Sequence, residues 1–293
     1  MIKVDNAIIM AAGTSSRFAP LSYEKPKALI EVKGEILIER QIKQLKEAGI
    51  NSIIVVTGYK AEEFEYLRDK YGVELIHNRQ FLNRNNNESI YVSKNRIRNS
   101  YICSSDNYFI DNPFSAYEEE AYYSALYSNG ETSEWCIEED ENGYISKVTI
   151  GGNNSWYMLG HVFWDENFSN KFLSILEKVY NEPETADKLW EQIYIENINS
   201  LKMKIKKYDA DYIFEFDTLD ELRTFDETYT NNTRSKILKR LALQLDCSEG
   251  DIVDIKSYKD SDNSAVGFTF RYRANRYKYR YETKELEVIS NGK

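Results

Sequence analysis

V-D-N-A-I-I-M-A-A-G-T-S-S-R-F-A-P at residues 4–20, followed by K-P-K-A-L at 25–29, is the stretch whose reading decides the fold. The apolar run at 4–10 reads as a buried strand. The small residues that follow, Ala11, Ala12, Gly13, Thr14 and Ser15, form a loop whose backbone N–H groups can approach an anion closely. Arg17 and Lys27 set fixed positive charge beside that loop. Neither G-x-G-x-x-G nor G-x-x-x-x-G-K-[ST] is present, so the dinucleotide fold and the P-loop are both unsupported. What remains is a first strand, a phosphate-sized loop and two cations, which together read as a clamp for a nucleoside triphosphate.

Working outward, strand and helix patterns alternate. Gly34–Gly49 carries a helical stripe at Ile38, Ile42 and Leu45. Ser52–Thr57 reads as a buried strand, Ala61–Lys70 as a helix, Val73–Ile76 as a short strand and Ser100–Ser105 as another strand. This order predicts an α/β fold: a mostly parallel mixed sheet with helices on both faces. Ligands of such sheets sit beyond the carboxyl ends of the strands, so the 11–17 loop and Asp106 should share one edge. Further strands are expected at 122–126, 135–138, 144–150 and 156–164. Turns are expected at Asn129-Gly130, Asn142-Gly143 and 151–154. Helices near 166–180 and 185–197, strands near 203–208 and 212–217, and a helix from Leu219 to Tyr229 follow. Thr230–Thr233 reads as a linker. This places one larger α/β domain over 1–229 and a small α+β appendage over 234–293, with a helical stripe and three strands at 252–258, 265–272 and 276–281.

The chain has 293 residues, a formal net charge of −10 and 42% hydrophobic residues. Such an acidic balance argues against a nucleic-acid partner and requires any triphosphate site to gather its cations locally. Cys103, Cys136 and Cys247 have no metal spacing and read as free thiols. No leader and no membrane-spanning run is visible, so a cytoplasmic location is expected. A homodimer is compatible with the sequence. His77 and His161 have no catalytic neighbours in the sequence.

Ser105-Asp106-Asn107-Tyr108 and Glu215-Phe216-Asp217-Thr218 each end a strand with a carboxylate. Asp106 and Asp217 are candidate hard-cation ligands; the alternative is that they cap the turns or helices that follow, and an Asp can do both at once. Several segments in register now carry a resemblance: AAGTSSRFAP, KPKALIEV, LIERQI, GYKAEEF, NNNESIY, SSDNYF, SEW, FWD, DKLWEQI and EFDT. Over residues 1 to about 228 the chain resembles the bacterial CTP:phosphocholine cytidylyltransferases of the nucleotidyltransferase superfamily. The resemblance implies Mg²⁺-dependent transfer of CMP from CTP to phosphocholine. In that pattern Lys27 and Arg17 stabilise phosphate charge, and Asp106 and Asp217 hold the metal. Residues 11–13, Asn86 and Ser89 lie near the cytidine. Trp135, Glu134, Trp190, Glu191 and Asp187 receive the ammonium. The chain departs from the pattern at Ser15, where the family has Gly, and at Leu189 and Cys136, where aromatics would fit. A thinner cage makes a primary-amine acceptor, phosphoethanolamine or an aminophosphonate, the first alternative. A sugar-1-phosphate nucleotidyltransferase and a non-catalytic nucleotide sensor are the others. Residues 251–281 weakly resemble the start of a choline-kinase-like small lobe, through Asp262-Asn263-Ser264, Phe268-Thr269-Phe270 and Tyr277-Lys278-Tyr279-Arg280.

Overall fold

The opening apolar run forms strand β1 (Asn6–Ala11), in the interior of the sheet. The computed structural model describes residues 1–261 and 264–291. The chain separates into two units, one of Met1–Gly13 with Leu37–Glu215, the other of Thr14–Ile36 with Phe216–Lys293. In the first, β1 is joined by β2 (Ile53–Thr57), β3 (Glu74–His77), β4 (Ser100–Ser104), β5 (Asn107–Phe109), β6 (Tyr122–Glu139), β7 (Ile145–Trp164), β8 (Lys204–Lys207) and β9 (Ile213–Glu215). Seven of these form one sheet in the order β8-β6-β7-β4-β1-β2-β3. Strands β3, β2, β1 and β4 run parallel, and β7 enters antiparallel against β4. All five residues of β2 are buried, as expected of a parallel strand covered on both faces. The fold is the expected α/β mixed sheet flanked by helices.

The helices follow their stripes. In α1 (Leu37–Glu47), Leu37, Ile38, Ile42 and Leu45 turn inward, and the chain leaves through Gly49 at φ +86. The expected helix at 61–70 divides into a 3-10 turn at Ala61–Phe64 and α2 (Tyr66–Tyr71), and α3 (Asn87–Ser93) follows. Asp165 caps α4 (Glu166–Val179) by accepting from the Phe168 N–H at 2.8 Å, and Phe168, Phe172 and Leu176 pack into the core. Helix α5 (Trp190–Glu196) begins later than expected, after a 3-10 turn at Pro183–Thr185.

The four expected strands between 122 and 164 are two long ones. β6 and β7 form a continuous antiparallel ribbon that reverses once, at Asn142-Gly143. The glycines at the other two expected turns make register shifts instead. Gly130 and Gly151 adopt φ +97 and +78, and the Gly130 N–H donates to Asn154 Oδ1 at 2.9 Å across the ribbon. The two irregular sites face each other, so positive φ bends the paired strands together rather than reversing either.

The second unit holds α6 (Leu219–Phe225), α7 (Lys236–Leu245) and an antiparallel sheet of β10 (Val253–Lys259), β11 (Ala265–Tyr272), β12 (Asn275–Arg280) and β13 (Leu286–Asn291). Strand β13 was not legible in the sequence. Asp262 and Asn263, of the turn compared with a kinase lobe, lie outside the described residues. Thr233, within the segment read as a linker, is buried, and its hydroxyl donates to Glu249 at 2.5 Å. Thr14–Ile36 belongs with these elements. The Glu24 carboxylate accepts from the N–H groups of Lys236 and Ile237 at the start of α7, at 3.1 and 2.9 Å. Tyr23 stacks on Tyr281 at 3.7 Å, and the Tyr229 hydroxyl donates to the Glu31 carbonyl.

Candidate active site

Parallel pairing fixes the edge on which the candidate residues gather. Met10 pairs with Ser104 and Ala11 with Thr57, so the loops after β1, β2 and β4 leave together. The Ser105 N–H donates to the Met10 carbonyl at 3.2 Å, and the Tyr59 N–H to that of Ala12 at 3.0 Å. Gly58 is required here. A Cβ on it would lie 2.7 Å from the Ala12 carbonyl oxygen and 2.8 Å from Phe81 Cβ. Asp106 follows on the same edge, partly exposed, its carboxylate accepting from Ser104 Oγ at 2.7 Å.

In the second unit the structure brings together three expected residues. Asp217 pairs with Arg17 at 2.8 Å and with Lys27 at 3.7 Å. The Arg17 side chain is 74% exposed, so its ion pair is solvent-screened, whereas that of Lys27 is 4% exposed and rests over the Phe18 ring. Helix α6 is capped by Thr218, not by Asp217. Thr218 Oγ1 accepts from the Glu221 N–H at 3.2 Å, and the Asp217 carboxylate is left to the cations. Ser15 sits at φ 47, in the left-handed region.

The first unit also contains a cleft of ≈ 170 Å³ whose walls include Asn86, Asn107, Tyr123, Trp190, Glu191 and Glu215. It is smaller than the roughly 300–1,000 Å³ of sites for drug-sized ligands, and its scale suits a head group. Trp190 is 1% exposed and sits edge-on to Trp164 at 5.1 Å and Phe172 at 5.9 Å. It stacks on Tyr123 at 5.8 Å. It is therefore a core residue that also borders the cleft. Glu191 is held by the Asn86 amide at 3.1 Å and the Tyr123 hydroxyl at 3.4 Å. Desolvation pushes its carboxyl up to about 7, against the smaller downward pull of the Asn86 amide.

The remaining expected residues are placed as follows. Both ends of the Asn86 amide are engaged, the nitrogen with Glu191 and the oxygen with the Trp190 N–H at 2.7 Å. Asn85 and Asn87 bond the 185–188 backbone in the same way, so this asparagine run staples the approach to α5. Ser89 is buried and accepts from Asn78 at 3.3 Å. Asp187 is exposed, and its carbonyl accepts from Asn85 at 3.0 Å. Trp135 and Glu134 lie on the β6–β7 ribbon, Trp135 half-buried and Glu134 exposed, and are not among the residues lining the cleft.

Residues 7–121 match the family of MobA-like NTP transferase domains. Over 225 residues the chain is 34% identical to the choline-phosphate cytidylyltransferase of Streptococcus pneumoniae, covering 77% of this chain and 98% of that one. The chain belongs to the choline-phosphate cytidylyltransferase family. The solved CTP:phosphocholine cytidylyltransferase of the same organism superposes with a TM-score of 0.74, covering 78% of this chain and 99% of the other. A 2-aminoethylphosphonate cytidylyltransferase of Lancefieldella rimae is 32% identical, covering 78% of this chain and 95% of its own.

For a member of the choline-phosphate cytidylyltransferase family, sequence reasoning missed three cleft residues. Glu215 reads in the sequence only as a flank of Asp217, yet β9 pairs it with Asn107, and both line the cleft. Tyr123 carried only a strand pattern. Gly160 lies inside β7 at φ +104 and also borders the cleft. The E-F-D-T segment was the available signal for Glu215, a carboxylate at the end of a short strand.

Proposed function

We propose that this protein transfers CMP from CTP to phosphocholine, giving CDP-choline and pyrophosphate. The observation that carries this reading is the first-unit cleft, where the Glu191 carboxylate lies beside Tyr123 and Trp190. A quaternary ammonium donates no N–H bond and is recognised by aromatic faces and a balancing carboxylate. Residues 11–15 would cradle the triphosphate, Arg17 and Lys27 would stabilise its charge, and Asn86 holds Trp190 and Glu191 in place. A direct role for Ser89 at the cytidine would require its bond from Asn78 to open. Trp135, Glu134 and Asp187 remain candidates for the outer part of the acceptor site.

An ionised acceptor phosphate oxygen attacks the α-phosphorus in line, and pyrophosphate leaves with the electron pair of the broken P–O bond. No strong general base is required. The work of the protein is to hold two anions together and to spread the developing charge over Lys27 and Arg17. The donor set suits Mg²⁺, which is commonly held by one or two carboxylates with substrate phosphates and water. Asp106 and Asp217 are the partly exposed carboxylates that would hold it. When bound, it would supply further neutralisation of phosphate charge.

With CTP, Mg²⁺ and phosphocholine, the purified protein should release pyrophosphate, and EDTA should abolish the release. Faster turnover with glucose 1-phosphate than with phosphocholine would overturn the acceptor. Asp106→Ala and Asp217→Ala should each lower turnover by about a hundredfold or more in folded protein. A variant with ordinary turnover removes that residue from the site.

A further inference from the structure

Two side chains in the cleft wall have polar atoms without partners among the described residues. Asn107 is 2% exposed, and neither the oxygen nor the nitrogen of its carboxamide is hydrogen-bonded. The buried Trp190 indole N–H is likewise unpaired. Buried polar groups are almost always satisfied, so an unpaired carboxamide in the wall of a cleft marks a place where a ligand or water supplies the partner. Asn107 stands directly opposite Glu215 in the β5–β9 register, and Cβ atoms so paired lie about 4.5–5.5 Å apart. Glu191, gripped by Asn86 and Tyr123, borders the same cleft.

A carboxamide oxygen accepts hydrogen bonds, and carboxylates attract positive charge. A primary ammonium satisfies both demands, because it has three N–H donors as well as a charge. A trimethylammonium satisfies only the second, and leaves the Asn107 oxygen to a bridging water. We infer that Asn107 is a specificity-determining residue of the acceptor cleft, and that it extends the reaction to phosphate monoesters of primary amino alcohols. This rests on the cytidylyl transfer proposed above. The chemistry is the same for either acceptor. A phosphate oxygen forms the new bond to the α-phosphorus as the bond to pyrophosphate breaks, and the ammonium keeps its protons.

Pyrophosphate release tests the inference, with phosphoethanolamine, its N-methyl and N,N-dimethyl forms, and phosphocholine as acceptors. The wild-type protein should turn over phosphoethanolamine with a kcat/KM within about tenfold of that for phosphocholine. Asn107→Leu should shift the ratio of the two kcat/KM values at least about tenfold toward phosphocholine, with the methylated forms falling in order between. Asn107→Ala provides the same comparison if leucine is not tolerated. A merely structural role for Asn107 would lower all four acceptors together, and that result overturns the inference. So does wild-type protein that uses phosphocholine and ignores phosphoethanolamine, a result that needs no variant and leaves the proposed function standing. Absence of pyrophosphate with every acceptor overturns the proposed function, and this inference with it.

Discussion

At the scale of single residues, two side chains carry an energetic signature that can be measured. Ser15 holds a left-handed backbone, which costs an L-residue roughly 1–2 kcal/mol relative to the right-handed form. Ser15→Gly removes that strain but adds chain entropy of about 0.5–1 kcal/mol to the unfolded state. Urea unfolding should therefore show a gain of about 1 kcal/mol or less, and a loss would mean that the Ser15 side chain contributes more than its backbone costs. Glu191 is the second. Its folded carboxyl titrates near 7 instead of near 4.5, so between those values the folded state binds more protons than the unfolded one. Stability contributed through this group falls as pH rises through that window. Ammonium recognition has the opposite sense, because only the ionised carboxylate balances the cation. KM for phosphocholine should rise as pH falls from 8 to 6, and Glu191→Gln should flatten that rise. The ionisation of the acceptor's own phosphate, near pH 6, is common to both proteins and cancels in the comparison. An identical profile in the variant would remove Glu191 from acceptor binding. Trp190→Ala is a poorer probe, since emptying a core position of this size costs about 3–5 kcal/mol and unfolding would mask the binding effect.

At the scale of elements, the β6–β7 ribbon decides the shape of the cleft. Tyr123 pairs with Val162, but Ala125 pairs with Met158, so Ser124 alone faces Leu159, Gly160 and His161. Its hydroxyl lies 2.6 Å from the carbonyls of both Leu159 and His161 and closes this bulge. The bulge turns Met158, Leu159 and Gly160 toward the cleft. A Cβ at Gly160 would lie 2.7 Å from Ser124 Oγ and 2.9 Å from Ile213 Cδ1, at a φ that L-residues avoid. Gly160→Ala should cost about 1–3 kcal/mol in thermal or urea unfolding and raise KM for the acceptor more than for CTP. Unchanged stability would mean that the bulge yields freely. Periodicity showed apolar strands here and glycine-rich turns between them, but it could not separate a reversal from a bulge. Both need positive φ, and pairing across the ribbon chooses between them.

At the scale of the whole molecule, the described residues of 234–291 belong to one unit with Thr14–Ile36, the segment that carries Arg17 and Lys27, whereas the cleft proposed for the acceptor is lined wholly by residues of the first unit. The streptococcal relative is matched over nearly its whole length by 77% of this chain. A chain ending at Tyr229 should lose the Glu24 bonds to Lys236 and Ile237 and the Tyr23–Tyr281 stack, melt at a lower temperature and show a raised KM for CTP. Its KM for phosphocholine should hold. If melting and CTP affinity both match the full chain, the appendage has no part in supporting the loop. Among the described residues no helix is long and apolar enough to cross a membrane.

The sequence by itself determined the parallel core, the loop after β1 and the cations Arg17 and Lys27, because these depend on local periodicity and on residue types within a few positions of one another. Short motifs marked Arg17, Lys27 and Asp217 separately, but the ion pairs that join them across up to 200 positions were decided by tertiary structure. Tertiary structure alone decided the partners. It spent the Asn86 amide on α5, buried Trp190 against Trp164 and Phe172, and paired Glu215 with Asn107 across two short strands. It also gave Thr14–Ile36 to the appendage. Each of these outcomes depends on which distant surface a side chain meets once the chain has closed on itself. No window of neighbouring residues contains that information, because hydrogen-bond partners and burial are properties of the packed molecule.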